Sequence, residues 1–370
     1  MNELQSFNQR IINIFYEIQK NNEKDNKQKS LHWQKGYNNK NFNLENLHNF
    51  RAKNGLSCGL DDSHDNMLTF NFYEKLRREI GEEIILNNLE KDNIGNSPFL
   101  YRFNKYYIDY NKLIHIHWFN DLNKNIFQKN LVSNFCEIGG GFGSFSKIIL
   151  NNINIKLLSI DLPEANLMTT FYLKKSFPNK KFFLYDDYLN SNKLTKNDFD
   201  NNDIIILPPD LNIDEKIKIE LFINTRSMME MNYEIIVKYF KFIQNFSKPN
   251  TFFLNINRYE KDTVGYPIRI AEYPYDKDWD VVLSKPSFNQ PWVHFLLTKR
   301  IFHNFNNNIF DELKRIKKLG KKYTKHNIYH TYLVKNIKII FIKCIKKIFK
   351  VFFKKKFTDW LGKKIINIYN

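Results

Sequence analysis

Residues 135–146 read FCEIGGGFGSFS, with four glycines in five positions just beyond Glu137. Glycine admits positive φ and removes the β-carbons that would keep a ligand off the backbone. A helix starting behind such a loop offers unpaired N–H groups and the positive end of its dipole. Twenty-two residues after Gly139, the apolar run KLLSID ends in Asp161. In a Rossmann-like crevice an acid at that place bonds to ribose hydroxyls. Strand, loop, helix and downstream acid together predict a site for a nucleoside-containing cofactor.

The spacing bears on which cofactor. A dinucleotide fingerprint, G-x-G-x-x-G, counted from Gly139 requires glycine where Ser144 stands, and counted from Gly140 it requires glycine where Phe142 stands. The chain satisfies E-x-G-x-G-x-G instead, through Glu137, Gly139, Gly141 and Gly143. This resembles the first motif of class I S-adenosylmethionine-dependent methyltransferases. The resemblance implies S-adenosyl-L-methionine as cofactor, with the loop against its methionine and ribose, Glu137 orienting its amino group, and Asp161 on the ribose. A second set of segments is similar to a bacterial sugar O-methyltransferase family: IGNSP (94–98), LPPDL (207–211), NTRSMMEM (224–231) and NINRYE (255–260). That resemblance covers about residues 45–300 and implies a sugar or glycan acceptor, nucleotide- or lipid-linked, in surface polysaccharide biosynthesis.

A sugar hydroxyl is a weak nucleophile at neutral pH, so a base near the acceptor is expected, a contribution of ~10²–10⁴-fold. Ligands sit at the carboxyl ends of strands in such sheets, which selects Asn224, Ser227 and Glu230 after the run LFIN. If a helix starts there, Ser227 and Glu230 share a face. Glu230 is then the candidate base and Asn224 and Ser227 substrate ligands. Ser227-Met-Met-Glu230 is equally a literal capping box, and both readings stand. His294 in WVHFLLT is a second candidate base, against the alternative of a satisfied core histidine. Arg258 is expected to bind sugar hydroxyls or a diphosphate handle. His115 and His117 would face one side if their segment were extended; packing is the competing account. Asp186 and Asp187 suit either adenine recognition or half of a metal site, but no ligand set is evident and no bound metal is expected.

The elements needed to position these groups are legible from period. Seven apolar runs read as strands: 134–138, 156–161, 203–207, 221–224, 251–256, 280–284 and 292–298, with amphipathic segments at 143–152, 164–177 and 228–247. Alternation of this kind predicts an α/β fold, a Rossmann-like, mostly parallel seven-stranded sheet with an antiparallel last strand. Residues 180–188 fit strand or helix. Upstream, an amphipathic helix is expected over 6–20, a polar loop to about 45, helices at about 70–91 and 105–130. The organisation expected is a helical cap region (1–130), a cofactor-binding domain (131–300) and a basic tail (301–370).

The 370 residues are 42% hydrophobic and 16% aromatic, which excludes a disordered chain. Of the net charge of +18, +15 falls in the last 70 residues, where 18 Lys and Arg meet three acids. Residues 336–357 align Ile337, Phe341, Ile345, Ile348 and Phe352 on one helical face among lysines, the pattern of a helix lying on an anionic membrane surface. Packing on the body and nucleic-acid binding are the alternatives; with no base-reading module, no nucleic acid is expected. Three dispersed cysteines and the absence of an apolar leader or spanning segment point to a cytoplasmic protein, peripheral on the membrane if the tail binds there. From other classes, an NAD-dependent sugar dehydrogenase and a non-catalytic scaffold at the membrane remain; the first lacks its third glycine, and the second has no use for an intact Glu137-to-Asp161 constellation.

Overall fold

The computed structural model describes residues 3–22, 29–38, 40–57, 66–301 and 308–323. Residues 1–316 form one compact unit and 317–370 a second, of which 317–323 are described and helical. The basic stretch 336–357 lies outside the described residues. No described helix is long and apolar enough to cross a membrane.

The chain begins with helices α1 (Glu3–Asn22), α2 (Leu31–Tyr37), α3 (Leu44–His48), α4 (Asn66–Ile80) and α5 (Glu82–Asn88). The polar stretch to residue 45, expected as loop, therefore holds α2 and the start of α3. The helix expected over 70–91 is divided at Gly81, whose φ of +86° no helix accommodates. A hairpin, β1 (Tyr101–Phe103) and β2 (Tyr106–Ile108), turns at Asn104 and leads into α6 (Tyr110–Asn125). Asp109 caps α6 by accepting from the Lys112 N–H at 2.6 Å. Ten residues of α6 are buried, including Lys112, His117, Asn120 and Asp121. Because the segment is helical, His115 and His117 point to different surroundings.

The sheet region runs β3 (Asn134–Ile138), α7 (Ser144–Asn152), β4 (Lys156–Ile160), α8 (Pro163–Ser176), β5 (Phe182–Phe183), α9 (Tyr185–Leu189), α10 (Lys196–Asn201), β6 (Ile204–Leu207), β7 (Leu221–Thr225), α11 (Tyr233–Phe246) and β8 (Phe252–Arg258). A small hairpin, β9 (Glu260–Asp262) and β10 (Pro267–Arg269), precedes the long pair β11 (Trp279–Ser287) and β12 (Gln290–Arg300). The sheet has eight strands in the order β11-β12-β8-β7-β3-β4-β6-β5. All seven expected strands are present. The eighth is the two-residue edge strand β5, so residues 180–188 are strand and then helix. β12 pairs antiparallel with both neighbours, and the remaining pairs are parallel. This is a Rossmann-like α/β fold. Successive strands step outward from β3 through β4 and then return to β7 on its other side, so a topological switch point opens beside β3.

A buried charge cluster joins the helical region to this sheet. Glu90 (3% exposed) lies 2.8 Å from Lys112 Nζ, 3.5 Å from Arg51 NH1 and 3.7 Å from Lys147 Nζ, and it accepts from the Tyr172 hydroxyl. Burial alone would raise the Glu90 pKa; Lys112, Lys147 and Arg51 overcome it and hold the carboxyl well below its usual range. The partners come from α6, α7, α8 and the loop after α3, so one carboxylate fixes four elements. Glu90→Gln would leave Lys112 without its acid and Arg51 with Asp109 alone. The expected loss is about 3–5 kcal/mol of unfolding free energy by urea denaturation; a variant as stable as the parent would show that the cluster bears no structural load.

Candidate functional site

The carboxyl ends of β4, β3, β7 and β8 line one crevice in that order, and beside it is a cavity of about 760 Å³. Its wall includes Gly139–Phe142 after β3, Asp161 after β4, Thr225–Ser227 and Met229–Met231 after β7, and Arg258 at the end of β8. Ser30, His32, Trp33 and Tyr37 come from the N-terminal segment, and Asp109, Asn111 and His115 from the start of α6.

The glycine loop is held from several directions. Gly139 N–H bonds to the Ile160 carbonyl (2.9 Å), Gly141 N–H donates to Asp161 Oδ2 (2.9 Å), and Thr169 Oγ1 donates to the Gly141 carbonyl (2.6 Å). Asp161 Oδ1 also accepts from Leu162 N–H at 2.7 Å. Gly139, Gly141 and Gly143 all have φ between +66° and +81°. A β-carbon on Gly139 would sit 2.1 Å from Ser227 Oγ, and one on Gly140 would sit 2.6 Å from the Glu137 carboxylate. The missing β-carbons, expected to make room for a ligand, at both positions make room for the protein's own side chains.

Two carboxyls beside the loop carry raised pKa values. Glu137, 1% exposed, receives a hydrogen bond from Ser146 Oγ on Oε2, while Oε1 is buried with no partner. Burial, and secondarily the charge of Asp161, raises it to about 7 against the lowering effect of Ser146. Asp161 is also raised to about 7 by burial, although the Gly141 and Leu162 N–H groups oppose the shift. Of the two, Asp161 lies in the cavity wall, open to a ligand's donors, whereas Glu137, with its orphaned oxygen, is packed against Gly140 behind the loop and does not line the cavity.

After β7 the expected long helix does not begin. Residues 228–230 form a single 3₁₀ turn, Met231 is extended, and α11 starts at Tyr233. The capping box is therefore absent. Ser227 Oγ accepts from Asn224 Nδ2 (2.6 Å) and lies 3.2 Å from the Ile138 carbonyl, to which it donates. The Glu230 carboxylate faces the cavity, paired with Lys261 and 3.6 Å from His32 Nε2. Asn224 is fully buried: it donates to Ile138 O and Ser227 Oγ and accepts from Met228 N–H and Asn257 Nδ2. With both amide atoms engaged inside the protein it is not on the cavity wall, which removes it as a direct substrate ligand.

His294 is likewise displaced from the role expected of it. It is fully buried, its Nδ1 2.9 Å from the Tyr259 hydroxyl and its Nε2 2.7 Å from Ser284 Oγ, and burial lowers its pKa to about 3. It does not line the cavity. Asp186 and Asp187 do not line it either; Arg10 of α1 grips Asp186 through Nε (2.6 Å) and NH2 (2.7 Å) and reaches Asp187 (2.8 Å). Among the described residues no group of three or more His, Cys, Asp or Glu is arranged to hold a metal ion.

The sequence reading missed several wall residues. His115, assigned there to packing, lies in the wall with Nδ1 3.3 Å from Ser144 Oγ, and burial holds its pKa well below the usual histidine value. Arg226 adopts φ +62°, a strained conformation for arginine, with its N–H on the Ile256 carbonyl and NH1 3.1 Å from Asn111 Oδ1. His32 and Trp33 sit in the polar stretch, where the cluster HWQKGY was the available sign of order. Trp33 stacks on Tyr37 at 5.3 Å, and Lys29 just before them pairs with buried Glu164 of α8.

No family model and no curated protein matches the chain. Among solved structures it is similar to the mitomycin 7-O-methyltransferase MmcR, at 14% identity and TM-score 0.33 over 51% of this chain and 57% of that one. It is similar to the S-adenosylmethionine-dependent methyltransferase SibL at 8% identity and TM-score 0.32, over 64% and 75%. An amino pentose methyltransferase from Micromonospora echinaspora aligns at 6% identity and TM-score 0.34, over 50% and 91%. The match spans little more than half the length of the first of these, and likenesses this low carry no argument about activity.

The closure of the loop can be tested by itself. Gly139→Ala should cost about 2–3 kcal/mol of stability, from positive φ and from the Ser227 contact. In combination with Ser227→Gly the steric part should disappear, making the double variant more stable than the sum of the two single losses predicts. Strict additivity would show that Ser227 is not what excludes a side chain at residue 139.

Proposed function

We propose that the protein is an S-adenosylmethionine-dependent O-methyltransferase that methylates a sugar hydroxyl, in surface polysaccharide or glycan biosynthesis. The observation that carries the reading is the juxtaposition, at the switch point, of a positive-φ glycine loop, the ribose-position acid Asp161 and the unpartnered buried oxygen of Glu137, all beside a cavity of ligand size. The residues present fit the cofactor. Asp161 suits ribose hydroxyls, and Glu137 suits the amino end of methionine. Gly139 and Gly141 bring backbone against the ligand. When bound, the cofactor supplies a methyl group on a sulfonium, which leaves as a neutral thioether. The sugar assignment is supported by the resemblance carried by residues 224–231, of which Thr225–Ser227 and Met229–Met231 line the cavity.

The work left to the chain is alignment, exclusion of water and removal of one proton. Alignment in a closed site can contribute up to ~7–11 kcal/mol. Glu230 is placed as the base that takes the acceptor's hydroxyl proton; Lys261 and His32 fix its carboxylate. The other wall acids are otherwise used: Asp109 caps α6 and faces Arg51, Asp161 binds the loop, and Asp210 pairs with Lys238. Ser227 and Arg258 stand on the same side as Glu230 and are proposed to contact the acceptor.

The first measurement is calorimetric titration with S-adenosylhomocysteine, with NAD in parallel. Micromolar binding that Asp161→Ala abolishes, with NAD silent, is the expected result; no binding by the wild type would overturn the reading. Because a ligand held by ionised Glu137 and Asp161 must displace protons from groups raised to about 7, affinity should strengthen about tenfold for each group, up to about a hundredfold for both, from pH 6 to pH 8. Without ligand the sign reverses. The folded chain holds those protons more tightly than the unfolded one, so the two acids contribute stability in full below about pH 4, and this is lost as pH rises through 7.

Glu230→Gln separates chemistry from binding. Methyl transfer should fall about 10²–10⁴-fold at saturating acceptor with S-adenosylhomocysteine affinity unchanged. A full rate in this variant would assign the base elsewhere.

A further inference from the structure

The acceptor side of the cavity carries more positive charge than it neutralises. Glu230 is the carboxylate among its wall residues after β7 and β8, and it is matched by Lys261. Arg226 and Arg258 add two guanidinium groups to that wall. Arg226 bonds to Asn111, and Lys238, elsewhere on the cavity, lies 3.6 Å from Asp210. Arg258 differs from these. Its Nε is buried without a hydrogen-bond partner, and no ion pair joins its guanidinium to an acid among the described residues. A charged donor left in that state costs at least ~1–3 kcal/mol, so it is retained where a ligand completes it.

We propose that Arg258 is the receptor for an anionic group of the acceptor, a carboxylate or a phosphate, and that the substrate is therefore an acidic or nucleotide-linked sugar and not a neutral one. The inference rests on the methyltransferase reading for the word acceptor. Position favours the acceptor over the cofactor as the source of the anion. Asp161 and Arg258 lie at the tips of β4 and β8, with β3 and β7 between them. At a strand spacing of ~4.8 Å this is about 14 Å across the crevice. A ribose held by Asp161 would leave Arg258 across the crevice from it, on the side proposed for the acceptor. Arginine's planar fork suits the paired oxygens of carboxylate and phosphate. The backbone around it is fixed, with Arg258 N–H 3.5 Å from Met229 Sδ and Tyr259 bonded to His294.

The test is calorimetric titration of UDP, glucuronate and the neutral methyl glucoside into full-length protein, alone and loaded with S-adenosylhomocysteine. Wild type, Arg258→Gln and Arg258→Lys are compared. At least one anion should bind the wild type and lose about ten- to hundredfold in affinity in Arg258→Gln, with part of the loss recovered in Arg258→Lys. S-adenosylhomocysteine binding should be the same in all three, which also reports that each variant is folded. Preference for UDP identifies the phosphate as the anion, and preference for glucuronate identifies the carboxylate. The proposal is overturned if no anion binds the wild type at millimolar concentration or if Arg258→Gln binds the anions unchanged. It is also overturned if the variant loses S-adenosylhomocysteine, since Arg258 would then serve the cofactor. Failure of S-adenosylhomocysteine to bind the wild type, with Arg258-dependent anion binding intact, would sink the methyltransferase reading and leave the anion site standing.

Discussion

The carbonyl of Ile138, the last residue of β3, is the point from which the crevice is organised. It leaves the sheet just as the glycine loop begins, and it receives Asn224 Nδ2 at 2.8 Å and Ser227 Oγ at 3.2 Å. The same asparagine accepts from Asn257 of β8 (2.9 Å), and Asn257 donates in turn to Asn255 Oδ1 (2.6 Å), whose Nδ2 reaches the Tyr275 hydroxyl. Three wholly buried amides thus run from the tip of β3 across β7 to β8. Asn224 Oδ1 and Asn257 Oδ1 also accept the Met228 and Met229 N–H groups at 3.2 Å, which sets the 3₁₀ turn carrying Glu230. Buried amides are tolerated only when satisfied. Satisfied here, they make the cavity walls after β3, β7 and β8 one rigid object.

A second clamp acts on the same loop from the opposite side. The Arg51 guanidinium lies 4.9 Å from the ring of Phe142, inside the glycine loop, and is held by Glu90 and Asp109. Asp109 caps α6, which brings Asn111 and His115 to the cavity. The helical region is therefore no appendage. Through Glu90 it fixes the loop, and through α2 it supplies Trp33 and His32 to the wall, so the cavity exists only where the two parts of the chain meet.

What the sequence disclosed and what it hid divide along physical lines. Strands β3, β4, β6, β7, β8 and β12 were legible because buried strands read as short apolar runs, β11, only partly buried, because its run DVVLS is still apolar, and Glu137, the glycines and Asp161 because they lie a few residues from strand ends. β5 was hidden: two residues hold no period. The break at Gly81 and the turn at 228–230 were hidden because both segments are amphipathic enough to pass as helix, and a capping box written in sequence does not form when its serine is drawn to a carbonyl 89 residues away. His294 fits strand alternation equally well as base or as core, and only the sheet shows that it packs on Tyr259. The Arg10 grip on Asp186 and Asp187 and the Glu90 cluster join residues tens to more than a hundred positions apart, for which no local pattern exists.

The glycines show why a motif can point to a ligand without touching one at every position. Gly139 is bare because Ser227 occupies the space of its β-carbon, and Gly140 because the Glu137 carboxyl does. A side chain at either place would push the tip of β7 away from the tip of β3, or drive Glu137 out of its buried seat. The first would separate the wall after β7 from the wall after β3; the second would disturb the support that the Glu137 carboxyl gives the glycine loop from behind. The bare backbone thus lets Ser227 and Glu137 close up against the loop, which holds Asp161 and the turn carrying Glu230 on the wall of one cavity.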